Sequence, residues 1–370
     1  MDDKKSSENS KDVELFIEVL KSLIEKGVEK EKIQTMLKSD EFHAHFYKTA
    51  GEVASKFVYN EMMKNSRKNL ELTRMQNREF ENRLNFLWKE PFELFETLIY
   101  ISQEIGDEFN QEFRPDAVKE NDLVFEILIR LHGRACQTAL EILVLMQKGF
   151  PEGAIARWRT LHEIVIISSF IQEFGQNAAE RYYFHDAIQS WKSIKGYLND
   201  PILYEKHKQA LSEPLLSMRE MKKIEKIKEK LCEKYKKGYD GDYGWAADII
   251  SNPNLTNLEK HVKLDHLNPY HRMANISIHG GSKGIKFFLS SPNNNFIPAG
   301  PGNMGMATPG QLAAISLLQI NTFLLITRPC VKQFADISTM KKLVRKISRS
   351  FAKVERESMK IYRELHEKMI

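Results

Sequence analysis

One short stretch, Asn268-Pro-Tyr-His-Arg-Met-Ala-Asn-Ile-Ser-Ile-His-Gly-Gly281, gathers His271, Arg272, Asn275, Ser277 and His279 at apolar-spaced intervals. An arginine and a histidine together suit cleavage of RNA without a metal. The guanidinium clamps a phosphate through two parallel hydrogen bonds while the imidazole shuttles a proton as the 2′-hydroxyl attacks. Pro269 fits a first helical turn and Gly280-Gly281 supplies a stop, so the pattern predicts a helix from about Pro269 to His279. On that helix Arg272 and His279 lie two turns apart on nearly the same face, about 10 Å apart along the axis, with Asn275 between them. That is near enough to share one ligand. His279 would close the helix, where the macrodipole favours an imidazolium. Arg272 is therefore expected to hold phosphate and His279 to act as general acid/base, with His271, Asn275 and Ser277 orienting them.

Two further segments place polar groups four residues apart. Arg159-Thr-Leu-His-Glu163 puts Arg159 and Glu163 in register for an ion pair, and Arg181-Tyr-Tyr-Phe-His185 again sets an arginine and a histidine four apart, the histidine reading as a core residue satisfied by a neighbour. These four residues line or buttress the site, or else form a polar lock inside a bundle. Competing chemistries find less support, a convergence of the scattered His132, Glu141, Glu163 and His185 on a metal included. Gly280-Gly-Ser-Lys283-Gly lacks phosphate-loop spacing and follows a helix, and nothing alternates strand with helix as a dinucleotide fold requires. HExxH, zinc-deaminase and paired Glu-x-x-His signatures are missing too. Cys136, Cys232 and Cys330 lie far apart with no CxxC partner, so neither a disulfide framework nor a thiolate zinc site is expected. The chemistry read from Arg272 and His279 calls for no metal and no cofactor.

The elements that must position these residues read as helices throughout. From Val13 to about Leu37 apolar residues recur at helical spacing around a break at Gly27, after a polar, disordered-looking start over residues 1 to 10. Glu52 to Trp88 is a long charged stretch without Gly or Pro, too poor in apolar residues between Met63 and Met75 to build a core alone. Residues 1–90 are thus expected to form an amino-terminal helical arm that serves in oligomerisation. A bundle over 91–335 follows, with helices near 91–111 and 120–148, a central helix through Ile164-Val-Ile-Ile-Ser-Ser-Phe-Ile171, and an apolar helix at 309–328. Lys237-Gly-Tyr-Asp-Gly-Asp-Tyr-Gly-Trp245-Ala reads as a turn docked by Trp245. Residues 280–310 form the one long irregular region, its Pro292-Asn-Asn-Asn295 flanked like a small hairpin that could cover His279. A basic helix over 336–370 completes an all-α chain.

With 370 residues, 42% of them hydrophobic and 28% charged, the profile is that of a soluble globular protein. Leu312 to Thr327 is short for a membrane span and contains Gln319 and Asn321, so a buried helix is expected. The amino terminus has no apolar core of the signal-peptide type, which implies the cytoplasm. Net charge is +5, unevenly spread: Ser212–Lys237 has nine Lys/Arg against five Asp/Glu, and Lys341–Ile370 has ten against four. Those segments are either solvated faces or surfaces for an anionic partner such as nucleic acid.

Arg272 and His279 resemble the Arg-x6-His motif of HEPN-type helical ribonucleases, although Met273 stands where a polar residue usually follows the arginine. The resemblance implies two motif copies meeting at a dimer interface to form one composite site. More of the chain, about residues 120–330, resembles a bacterial domain-of-unknown-function family of helical proteins. It carries Arg159-Thr-Leu-His-Glu163, Arg181-Tyr-Tyr-Phe-His185, Tyr243-Gly-Trp-Ala246 and Ser277-Ile-His279 in order. That resemblance implies a bacterial cytoplasmic protein of defence or toxin type. The resulting expectation is a metal-independent endoribonuclease acting on RNA as a homodimer or higher homo-oligomer, with a partner protein from the same operon and no membrane association. The rival reading is a non-catalytic helical binding module whose Arg, His and Glu residues form a buried structural network.

Overall fold

Apolar residues at a period of 3.6 generate helix after helix, and in the computed structural model no strand occurs among the described residues. Those residues are 40–210, 216–236, 238–276 and 299–367, with isolated positions between 17 and 31 and at 278 and 282. The expected disorder of residues 1 to 10 and the expected hairpin around Pro292 to Asn295 lie outside the described residues. The chain divides into two compact units, Met1–Phe80 and Glu81–Ile370.

In the first unit, helix α1 (Asp40–Leu87) begins and runs without interruption. Val58, Tyr59, Met62, Met63, Leu70, Leu72 and Met75 are all exposed, as the thin hydrophobic pattern over this stretch predicts. Arg67 and Glu71 add an exposed i,i+4 pair at 3.4 Å.

The second unit contains α2 (Lys89–Glu120), α3 (Leu123–Gln147), α4 (Pro151–Phe184), α5 (Asp186–Asn199), α6 (Pro201–Ala210), α7 (Met218–Tyr235), α8 (Leu255–His261), α9 (Asn268–Ile276), α10 (Ala307–Leu325) and α11 (Val331–Glu367). Each start has a local cause. Asp122 caps α3 by accepting from the Phe125 N–H at 2.9 Å, Pro151 opens α4, and Ser217 with Glu220 forms a reciprocal capping box on α7. Gly175, at φ 67° and ψ −150°, breaks α4 between its apolar first part and the Arg181–His185 segment.

α10 packs against α2, α3, α4 and α11, and α4 packs most extensively on α3. A run buried on nearly every side, Ile164 to Ile171, identifies α4 as an interior helix, and α10 shares that position with Leu312, Leu317, Ile320 and Leu324 buried. No helix of the described residues is long and apolar enough to cross a membrane. Trp88, Phe92 and Phe351 pack the start of α2 against α11, their ring centroids 5.9 to 6.2 Å apart. A buried polar link crosses the core: Asn321 donates to the Ser102 hydroxyl at 2.9 Å and to the Leu317 carbonyl at 2.7 Å, and its Oδ1 lies 3.1 Å from His132 Nε2. Cys136, beside that histidine, is buried with its thiol pushed up to about 12 by desolvation, whereas Cys330 is exposed.

Candidate functional site

The polar residues of α4 between Arg159 and Glu163 are the hub onto which three later segments dock. Arg159 Nε–H donates to His271 Nε2 of α9 at 3.3 Å. His162 Nε2 meets Glu259 Oε1 of α8 at 2.9 Å. Glu163 Oε1 accepts from the Tyr243 hydroxyl, in the loop before α8, at 2.8 Å. Arg159 and Glu163, expected to pair with each other along the helix, therefore reach outward to different partners. An i,i+4 pair on one helix contributes little; here the same two charges tie α4 to separate segments.

His162 and Glu259 are almost wholly removed from solvent, at 0% and 2% exposure. Desolvation holds the His162 imidazole below its usual pKa despite the neighbouring carboxylate, so a neutral ring donates Nε2–H to Glu259. The second Glu259 oxygen accepts from Asn268 Nδ2 at 2.7 Å, which fixes the start of α9. Trp158 stacks on His162 with centroids 5.0 Å apart and donates its indole N–H to Ser316 of α10 at 3.0 Å. On the other side, the His271 ring lies 5.9 Å from His162. His162 Nδ1 and Asn275 Oδ1 are buried without a hydrogen-bond partner among the described residues.

His271 is half-buried, and desolvation, Arg159 and His162 all push its pKa down. Because Nε2 accepts from Arg159, its proton sits on Nδ1. Arg272, the next residue, is turned into solvent. The arrangement is a neutral imidazole of fixed tautomer at the rim of a buried polar cluster, with one guanidinium bonded to it and another exposed beside it. It can accept a proton and it can attract a phosphate.

Arg181 and His185 are also buried, and they hold the loop that carries Tyr243. Arg181 donates to the Trp245 carbonyl at 2.8 Å and the Gly244 carbonyl at 3.3 Å, and its guanidinium lies over the Tyr235 and Tyr239 rings at 5.0 and 5.2 Å. Tyr239 returns a hydroxyl bond to the Arg181 carbonyl at 2.8 Å. His185 Nε2–H donates to the carbonyls of Tyr239 and Gly241, each at 3.0 Å, and burial lowers its pKa. Trp245 anchors the loop, at 2% exposure and edge-on to Phe170 and Tyr182. At Gly244 a Cβ would fall 2.1 Å from the Tyr239 carbonyl oxygen, so only glycine fits that turn.

The structure thus brings Arg159, Glu163, His271 and Asn275 into one neighbourhood around α4 and α9, leaves Arg272 exposed on α9, and sets Arg181 and His185 behind the adjoining loop. Ser277 and His279 lie outside the described residues. Sequence reasoning passed over His162, Glu259, Asn268 and Tyr243 as site residues. His162 and Tyr243 sit inside the Arg159–Glu163 and Tyr243–Ala246 motifs; for His162 a polar residue among apolar helix positions was the available signal, and for Tyr243 its place beside the docking Trp245. For Glu259, on a seven-residue helix, there was none.

Residues 125–296, from α3 through α9, match a family of unknown function (DUF5677). No curated protein and no solved structure matches the chain.

Proposed function

We propose that the chain is a metal-independent endoribonuclease of the phage-defence or toxin kind, with its site on α9 against α4. The observation that carries this reading is the bond from Arg159 to a half-buried, neutral His271, with Arg272 exposed at the next position. RNA cleavage by internal attack needs a base for the 2′-hydroxyl proton and an acid for the departing 5′-oxygen, so two histidines are the natural complement. An incoming phosphate draws Arg159 and Arg272 to its oxygens, which frees the His271 Nε2 lone pair to take the 2′-proton. The 2′-oxygen bonds to phosphorus, the P–O5′ bond breaks, and His279 protonates O5′. The products are a 2′,3′-cyclic phosphate and a 5′-hydroxyl. In this reading the protein acts in the cytoplasm as a homodimer or higher homo-oligomer, the second copy completing a composite site.

The test is RNA cleavage by purified protein in EDTA, comparing wild type with Arg272→Ala, His271→Gln and His279→Ala. Loss of at least about 100-fold in each variant, while it stays folded, is expected for a phosphate clamp and proton-transfer groups. Undiminished cleavage by any of them would remove its assigned role. A second reading, a non-catalytic module fixed by a buried polar network, is favoured by the complete burial of the His162–Glu259 pair and by the carbonyl partners of Arg181 and His185. In that case no RNA is cut, and the variants only melt earlier.

A further inference from the structure

We propose that the outward face of α11 is a binding track for the sugar-phosphate backbone of single-stranded RNA. Met340, Val344, Ile347, Phe351 and Val354 recur at steps of four and three and are buried against the bundle. Two positions after each of them stands a basic residue: Lys342, Lys346, Arg349, Lys353 and Arg356, with Lys360 following in the same rhythm. Two residues turn an α-helix by about 200°, so the basic stripe lies diametrically opposite the buried one. All six side chains are exposed. The stripe runs about 27 Å, with successive charges about 5 Å apart.

An ordinary solvated helix face mixes signs and pairs them at i,i+4, as Arg67 and Glu71 do on α1. This face does not. No acidic residue occurs from Ile337 to Val354. Among the described residues the first five basic groups make no ion pair, and Lys360 approaches Glu364 only at 3.9 Å. Glu355 is turned aside to the start of α10, where it accepts from the Gly305 and Ala307 N–H groups at 3.1 and 3.3 Å. A straight line of charge suits a flexible single strand, because the backbone of a duplex winds away from it. An anionic membrane is a poorer fit, since the apolar side opposite the stripe, Met340 to Val354, is already buried against the bundle, and the exposed Met359, Ile361 and Tyr362 lie beyond it.

The proposal is independent of cleavage and is tested with 2′-O-methyl RNA, which has no attacking hydroxyl. Binding of a labelled strand of about 12 nucleotides is followed by fluorescence anisotropy across a salt series, where each neutralised phosphate adds about −0.7 to the slope of log affinity against log salt. The triple variant Lys346→Gln/Arg349→Gln/Lys353→Gln, checked by circular dichroism, should lower that slope by about two. A matched triple on α7, Lys222→Gln/Lys223→Gln/Lys226→Gln, should leave it unchanged. If the α11 triple fails to fold, Arg349→Gln alone should lower the slope by about 0.7. Absence of binding by wild type, an unchanged slope in the α11 variant, or an equal fall in both triples would overturn the proposal. So would loss of binding to phosphatidylserine vesicles while RNA binding persists.

Discussion

Glu259 accepts from His162 with one oxygen and from Asn268 with the other, in a place that solvent barely reaches. Glu259→Ala would leave two donors without acceptors, and urea unfolding should show a loss of about 2–4 kcal/mol. Glu259→Gln keeps a carbonyl acceptor for one of them and should lose less; equal losses would mean that the carboxylate charge, not the acceptor geometry, is what the site requires. Burial also holds His132, His162, His185 and His271 below their usual value of 6.5. As pH falls below 6.5 the unfolded chain takes up protons that the folded chain refuses, so stability declines towards the lowered folded values; above 6.5 both states are neutral and the contribution is constant. Melting temperature should therefore drop on going from about pH 7.5 to about pH 5, and a flat profile would contradict the assigned neutral rings.

At the scale of helices, close approach is bought by small residues at two crossings. A Cβ on Gly310 would fall 2.3 Å from the Phe351 ring, and one on Gly106 would fall 2.4 Å from His132. Gly310→Ala should force α10 and α11 apart and cost about 1–3 kcal/mol in thermal or urea unfolding, and a neutral result would mean that Phe351 has room to rotate away. Element identity was legible because apolar period and burial coincide: Ile164 to Ile171 reads as an interior helix and is one. Boundaries were less so. The helix expected at about 91–111 runs on in α2 to Glu120, with Pro115 inside it. Tertiary contacts explain the difference: Ala117 is buried, and Arg114 bonds Asn110 at 2.8 Å and Glu126 at 3.0 Å and covers the Phe125 ring. Local backbone preference at a proline yields to such packing, and no single-chain pattern displays the partner helix.

For the whole molecule, the division at Phe80 predicts that Glu81–Ile370 unfolds cooperatively without the preceding residues. A truncated chain that melts without a transition would show that the second unit depends on the first. The site was legible only in part for a reason of the same kind. Arg159, Glu163 and His271 were visible as residue types at helical spacing, but their partners come from segments up to 112 positions away, which spacing along one helix does not encode. The stacking of Trp158 on His162 has an optical consequence. A protonated imidazole quenches indole emission where a neutral one does not, so this tryptophan should report the charge of the buried histidine directly. Its emission should dim as pH falls below 6.5, and His162→Gln should abolish that part of the titration while leaving the other three tryptophans as they were.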